Sequence, residues 1–316
     1  MTVEAALTHL ENEGILIPQG VGRRRLIKLP NSMSTPSLRI GILLYSPEDS
    51  KIYYNVDLQY RLLNAGHAAS FASKTLVDLG MDTRKVARFV ENSPADAWVV
   101  SSGSREVLEW FAEHHLPTFA LAGRRHGVRI ASISPRKAPA MRVLVRRLVE
   151  LGHRRIVMLA HEVRRKPLPG LFERLFLEEL AAHDIQTGAF NLPDWTDTAE
   201  GLQKLLDSLF QHTAPTALII EEAYTFIAVQ HYLAKRGILA PRDVSLICDD
   251  PDPAFAWCRP KIAHIYWDGA QIARRAVRWA DNVARGKEDR RRSFLKATLF
   301  EGGTIGPAPK GRGMTV

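Results

Sequence analysis

Acidic side chains gather twice in the second half of the chain, as Glu221-Glu222 and as Asp249-Asp250 with Asp252 close behind. Such carboxylates could hold a divalent cation, or they could accept hydrogen bonds from a small polar solute. The cation reading would make the protein a metal-dependent enzyme using Glu221, Glu222, Asp249 and Asp250. No histidine joins these acids at ligand spacing, and neither G-x-S-x-G nor H-E-x-x-H occurs. Ser101-Ser104 and His161-Glu162 are only fragments of such motifs. A glycine-rich G-x-G-x-x-G after the first strand and a G-x-x-x-x-G-K-[ST] loop are both missing, which disfavours dinucleotide and P-loop chemistry. Cys248 and Cys258 make neither a disulfide framework nor a zinc signature. We therefore expect no cofactor, no metal and no catalysis. A second cluster, Arg23, Arg24, Arg25 and Lys28, carries the opposite charge and suits phosphate contacts.

Elements that place these residues follow from the apolar pattern. The continuous apolar run at 38–45 reads as a strand buried on both faces, and 97–102, 117–123, 155–160, 216–222 and 244–250 read as further strands. Amphipathic stretches at 53–63, 83–92, 105–114, 136–151, 171–183, 198–211, 224–236 and 269–285 read as the helices between them. This alternation predicts parallel sheets covered on both sides, and the number of units predicts two Rossmann-like lobes. Ligands of such sheets sit at the carboxyl ends of strands. That rule selects Tyr45, Ser102, Glu222 and Asp250 as cleft-lining polar groups, with Phe255 and Trp257 as stacking surfaces. In the last long helix, Ile272, Ala276, Val277 and Ala280 form the buried stripe, and Arg274, Arg275, Arg278 and Arg285 fall mostly outside it.

The first 29 residues form a different unit. Val3, Ala6, Leu7 and Leu10 recur at helical spacing, Gly14 suits the helix end, and Gly20 and Gly22 allow a reversal between Ile15-Leu16 and Leu26-Ile27. A helix followed by a basic hairpin is how a winged helix-turn-helix ends, with Thr2 at the helix start. Thr2, Val3, Ala6, Leu7, Leu10, Gly14, Ile15 and Leu16 resemble the last half of a gluconate-repressor-type winged helix, and Glu4 departs from the arginine common there. The helices that open such a module are not in this sequence, so we expect an incomplete remnant, from truncation, a misplaced start or loss of the domain. A segment rich in Pro, Ser and Asn, 30–37, reads as a linker.

Four stretches of the body resemble the effector domain of the lactose/galactose-repressor family, itself similar to periplasmic sugar-binding proteins. They are "LRIGILLYS", "LVRRLVELGHRRIVMLA", "YLAKRGILAPRDVSLICDDPD" and "EGGTIGPAP". The resemblance implies an α/β fold of periplasmic-binding-protein type I architecture over 38–309. It places lobe one at about 38–160 and 268–294, lobe two at about 161–267 and 295–309, and a tail at 310–316. It also implies a small-molecule effector, such as a sugar, in the cleft. Phe172 stands where the family has an arginine, with Arg164, Arg165 or Arg174 as substitutes, and Glu222-Ala223 replaces an Asn-Asp pair. Two polar contacts to a sugar of the usual pattern are thereby lost. With the N-terminal unit, the expected function is a DNA-binding transcriptional regulator, a homodimer on double-stranded operator DNA, controlled allosterically by the effector. A solute-binding protein without DNA binding is the alternative.

Composition fits both readings. The 316 residues are 46% hydrophobic and 24% charged, with a net charge of +9, compatible with a nucleic-acid partner. No apolar run is long enough to span a bilayer, and the N-terminus lacks a signal-peptide core, so no membrane partner and a cytoplasmic location are expected.

Overall fold

Side chains of a strand point alternately to its two faces, and in this protein both faces meet apolar layers. Ile40 and Ile42 enter one core with Val99, Phe119 and Leu121, while Leu43 enters another with Trp98, Val100 and Ala120. The computed structural model describes residues 3–12, 16–17, 26–27 and 36–309.

The N-terminal unit comprises α1 (Val3–Asn12), β1 (Leu16–Ile17) and β2 (Leu26–Ile27), the two strands pairing antiparallel. Thr2, Arg23, Arg24, Arg25 and Lys28, expected to meet DNA, lie outside the described residues.

The body then runs through β3 (Arg39–Leu43), α2 (Tyr53–Asn64), β4 (Ala68–Phe71), α3 (Thr83–Glu91), β5 (Ala97–Ser101), α4 (Arg105–Glu113), β6 (Thr118–Leu121) and β7 (Ala131–Arg136). It continues with α5 (Ala138–Glu150), β8 (Ile156–Leu159), the short α6 (Glu162–Arg165), α7 (Leu171–Ala181), α8 (Ala199–His212), β9 (Ala217–Ile220), α9 (Ala223–Lys235), β10 (Ser245–Cys248) and β11 (Ala263–Tyr266). It closes with α10 (Ala270–Ala284), β12 (Arg292–Lys296) and β13 (Thr298–Phe300).

Two sheets result. The first, in the order β12-β7-β6-β5-β3-β4, is parallel throughout. Its strand order reverses beside β3, the switch point at which open α/β sheets bind ligands. The second, β13-β11-β10-β9-β8, is parallel except for its antiparallel edge strand β13. It too is covered twice. Val157, Leu159, Leu218, Ile220, Leu246 and Cys248 face one core, and Ile156, Met158, Ala217, Ile219, Ile247 and Ala263 the other.

Three segments join the lobes. The chain passes from β7 to α5 near Lys137, returns between β11 and α10, and passes again between β12 and β13 at Ala297. The first passage therefore lies about one helix and one strand before the expected position near residue 160. The cause is pairing: β8 joins β9, and α5 packs on α7 with Met141, Leu144 and Leu148 in the second lobe's core. Lobe one is thus 38–136 with 268–296, and lobe two 138–267 with 298–309. Helix α10 lies against α2, and its Trp279 meets Phe119 at 5.5 Å between ring centroids. Arg275, expected outside, is buried in an ion pair with Asp289 at 2.7 Å.

Candidate functional site

The carboxyl ends of β3 and β5 in one lobe, and of β8, β9 and β10 in the other, face each other across the gap between the lobes. Tyr45 follows β3 and brings its hydroxyl to 3.5 Å from Asp197 Oδ2 of the opposite lobe. His161 follows β8 and lies at the centre. Its Nδ1 is 3.2 Å from Asp197 Oδ2, its Nε2 3.6 Å from Glu222 Oε2, and the Tyr224 hydroxyl 3.0 Å from Nε2. Burial opposes a charge on His161, but Asp197 and Glu222 outweigh it and hold the imidazolium well above the ordinary histidine range. Glu222 caps α9 with φ of 62°, a left-handed backbone that costs strain in a residue other than glycine. Its buried Oε2 has no hydrogen-bond partner.

Beside this group two cations take up the remaining acids. Arg164, on α6, contacts Glu221 at 2.5 Å, Glu173 at 2.6 Å and Asp249 at 3.2 Å, and its guanidinium lies 5.0 Å from the Phe172 ring centroid. Lys137, at the first passage between lobes, reaches Asp250 at 2.5 Å and Asp249 at 3.3 Å. Trp267 donates its Nε1 hydrogen to Asp250 Oδ1 at 2.9 Å. Burial is the main influence on the acids. It pushes Glu221 up to about 7, with Arg164 only partly offsetting it, and Asp250 up to about 6 against Lys137. Asp49, from the segment after β3, is pushed up to about 6 by burial and by the charge of Glu222.

Direct contacts hold the gap closed. Besides Tyr45 with Asp197, Arg124 of lobe one donates to the carbonyls of Val163 (3.1 Å), Lys166 (2.9 Å) and Leu168 (2.7 Å) in lobe two. Two cavities of the molecule, of about 340 and 430 Å³, lie elsewhere, against α9 and β10 and beside β12.

Of the residues expected from sequence, Tyr45, Glu222 and Asp250 come together here, and Ser102 stands at the end of β5 with φ of 53°. Phe255 does not. It is buried in the second lobe's core against Phe226 and His264. Trp257 is 88% exposed and meets no other ring among the described residues. Of the arginines offered in place of Phe172, Arg164 enters the cleft across that ring, whereas Arg174 donates to the Pro169 carbonyl and Arg165 holds Asp194 and Asp197. Asp49, Lys137, Asp197 and the central role of His161 were missed. His161 occupies the same strand-end position as Tyr45, a signal that would have found it. Among the described residues, no group of three His, Cys, Asp or Glu side chains is placed to hold a metal ion. Arg164 and Lys137 occupy that role for Glu221, Asp249 and Asp250.

Two α/β lobes, joined by three passages of chain and facing each other through polar strand ends, form the architecture of a two-lobed periplasmic-binding-protein-like body. Residues 145–305 match the model of the periplasmic binding protein-like domain, and the chain belongs to that family. Its fold is similar to that of a LacI family transcriptional regulator from Mycobacterium smegmatis (16% identity, TM-score 0.66, covering 86% of this chain and all of that one). It is similar to the lac repressor dimer bound to operator and an anti-inducer (18%, 0.66, 88% and 99%). A third similar structure is a LacI family regulator from Enterococcus faecium with bound ribose (14%, 0.64, 85% and 98%). No curated protein matches the chain in sequence. No helix among the described residues is long and apolar enough to cross a membrane.

Proposed function

We propose that the protein is an effector-controlled DNA-binding regulator, acting as a dimer, whose cleft closes on a small, donor-rich solute. The observation that supports this reading most is the convergence of Tyr45, His161, Glu222 and Asp250 from four strand ends on one closable gap. The cleft is rich in acceptors, so hydroxyl or ammonium groups are its natural partners, and Glu222 Oε2, ion-paired with His161 but accepting no hydrogen bond, is one place for such a donor. A sugar or amino sugar carries that chemistry. The helix and hairpin at the N-terminus would supply the DNA-reading head, and the wing cations Arg23, Arg24, Arg25 and Lys28 its phosphate contacts.

Occupancy can shift the lobes only by its differential affinity for their open and closed forms, typically ~1–3 kcal/mol of coupling. A thermal-shift screen of sugars, amino sugars and sugar acids tests the cleft. A ligand-specific rise in Tm, lost in Glu222→Gln, is expected, and no shift by any of them would remove the effector reading. Anisotropy titration of duplex DNA over a salt series tests the head. Replacing Arg23, Arg24 and Arg25 with alanine should flatten the salt slope. Binding of solute with no affinity for duplex DNA would favour a solute-binding protein alone.

A further inference from the structure

The outer edge of lobe one gathers cations that the cleft does not use. A cavity of about 430 Å³ opens at the start of β12, lined in part by Arg129, Glu288, Arg290 and Arg292. Glu288 pairs with Arg290. Asp289, the neighbouring acid, is committed to Arg275 and Asn282. Arg129 and Arg292 pair with no carboxylate among the described residues. Beside them lies half-buried Arg125. It donates to Ser134 Oγ and packs 5.6 Å from the Phe294 ring centroid, and its buried Nε has no hydrogen-bond partner. Burial, then the charge of Arg292, pushes its pKa down to about 10.

Guanidinium groups gathered this way repel one another, and the half-burial of Arg125 weakens the screening of its repulsion from Arg292. An oxyanion relieves that repulsion, and the planar guanidinium fork matches phosphate oxygens. We propose that this cavity is a phosphate site, taking inorganic phosphate or a small phosphate monoester through Arg129 and Arg292, with the charge of Arg125 behind them. Its position makes it independent of the cleft. Arg292 pairs with Ser132 near the amino ends of β12 and β7, whereas the cleft lies at the carboxyl ends of the strands. A concave cavity suits a discrete small anion better than the convex backbone of a duplex.

Calorimetric titration of the full chain with inorganic phosphate, and separately with glycerol phosphate, at constant ionic strength in chloride tests this. One saturable site is expected, unchanged in the charge-matched surface control Arg84→Gln. Binding should weaken about tenfold in Arg292→Gln and in Arg129→Gln, each of which removes one charge-assisted contact. Both parent residues are exposed, so these variants keep the fold, which circular dichroism checks. Tighter binding of glycerol phosphate would identify a monoester as the ligand, and equal or weaker binding would identify the free anion. Absence of saturation, or full affinity in both variants, overturns the proposal. So does a random duplex whose binding is lost in both variants while phosphate itself never saturates.

Discussion

Arg164 pairs with three carboxylates that burial keeps from water, so its loss leaves them facing each other with only Lys137, on Asp249, to offset them. Arg164→Met should cost about 3–5 kcal/mol in urea unfolding at pH 8. A loss under about 1 kcal/mol would mean water reaches those acids. Glu221 supplies a pH test. Its ordinary value is 4.5 and its folded value about 7. A carboxyl raised on folding binds its proton more tightly in the folded state. Its contribution is therefore most favourable below about pH 4.5 and is lost as pH rises through about 7. Buried His153 and half-buried His264, held below their ordinary value mainly by desolvation, act in the opposite direction as pH falls through 6.5. The clean measurement is a difference: Glu221→Gln should remove part of the stability lost between pH 5 and 7.5. An unchanged pH slope refutes the assignment. At this scale the strand-end rule made Tyr45, Glu222 and Asp250 legible. Arg164 with Asp249 and Lys137 with Asp249 are 85 and 112 residues apart, and only the folded chain brings them together. Phe255 misled because an aromatic in a polar loop looks the same in sequence whether it stacks on a ligand or plugs a core.

At the scale of elements, the close fit of β3 against β5 is the sharpest constraint. A Cβ on Gly41 would lie 2.6 Å from the Trp98 ring, which fills the space above it. Gly41→Ala should destabilise by about 1–3 kcal/mol through overpacking. The double variant with Trp98→Leu should recover part of that loss, and strictly additive effects in urea unfolding would rule out the clash. Strands were readable because apolar runs buried on both faces have few alternative homes. The lobe to which α5 belongs was not. Its apolar stripe fits either sheet equally, and the partner that decides it is β8, which pairs with β9 and not with the strands before it. Burial of Arg275 on α10 was likewise hidden, because Asp289 lies beyond the helix end.

For the whole molecule, the contacts between lobes are few enough to break singly. Arg124 alone supplies three hydrogen bonds across the gap. They share one nitrogen with two hydrogens and are together worth about 1–3 kcal/mol net, so Arg124→Ala should lower the unfolding midpoint measurably and let the lobes part. Small-angle scattering would read this as a larger radius of gyration in the variant, and identical radii would show that the closed form does not depend on Arg124.

The three passages between the lobes also mean that neither half is one continuous stretch of gene. The final segment of the chain gives β12 to one sheet and β13 to the other, as edge strands. A protease cut in the exposed turn at 286–288, just before them, would yield two fragments on a denaturing gel. The same sample should migrate as one body under native conditions, and neither half could be excised or transplanted as a single cassette.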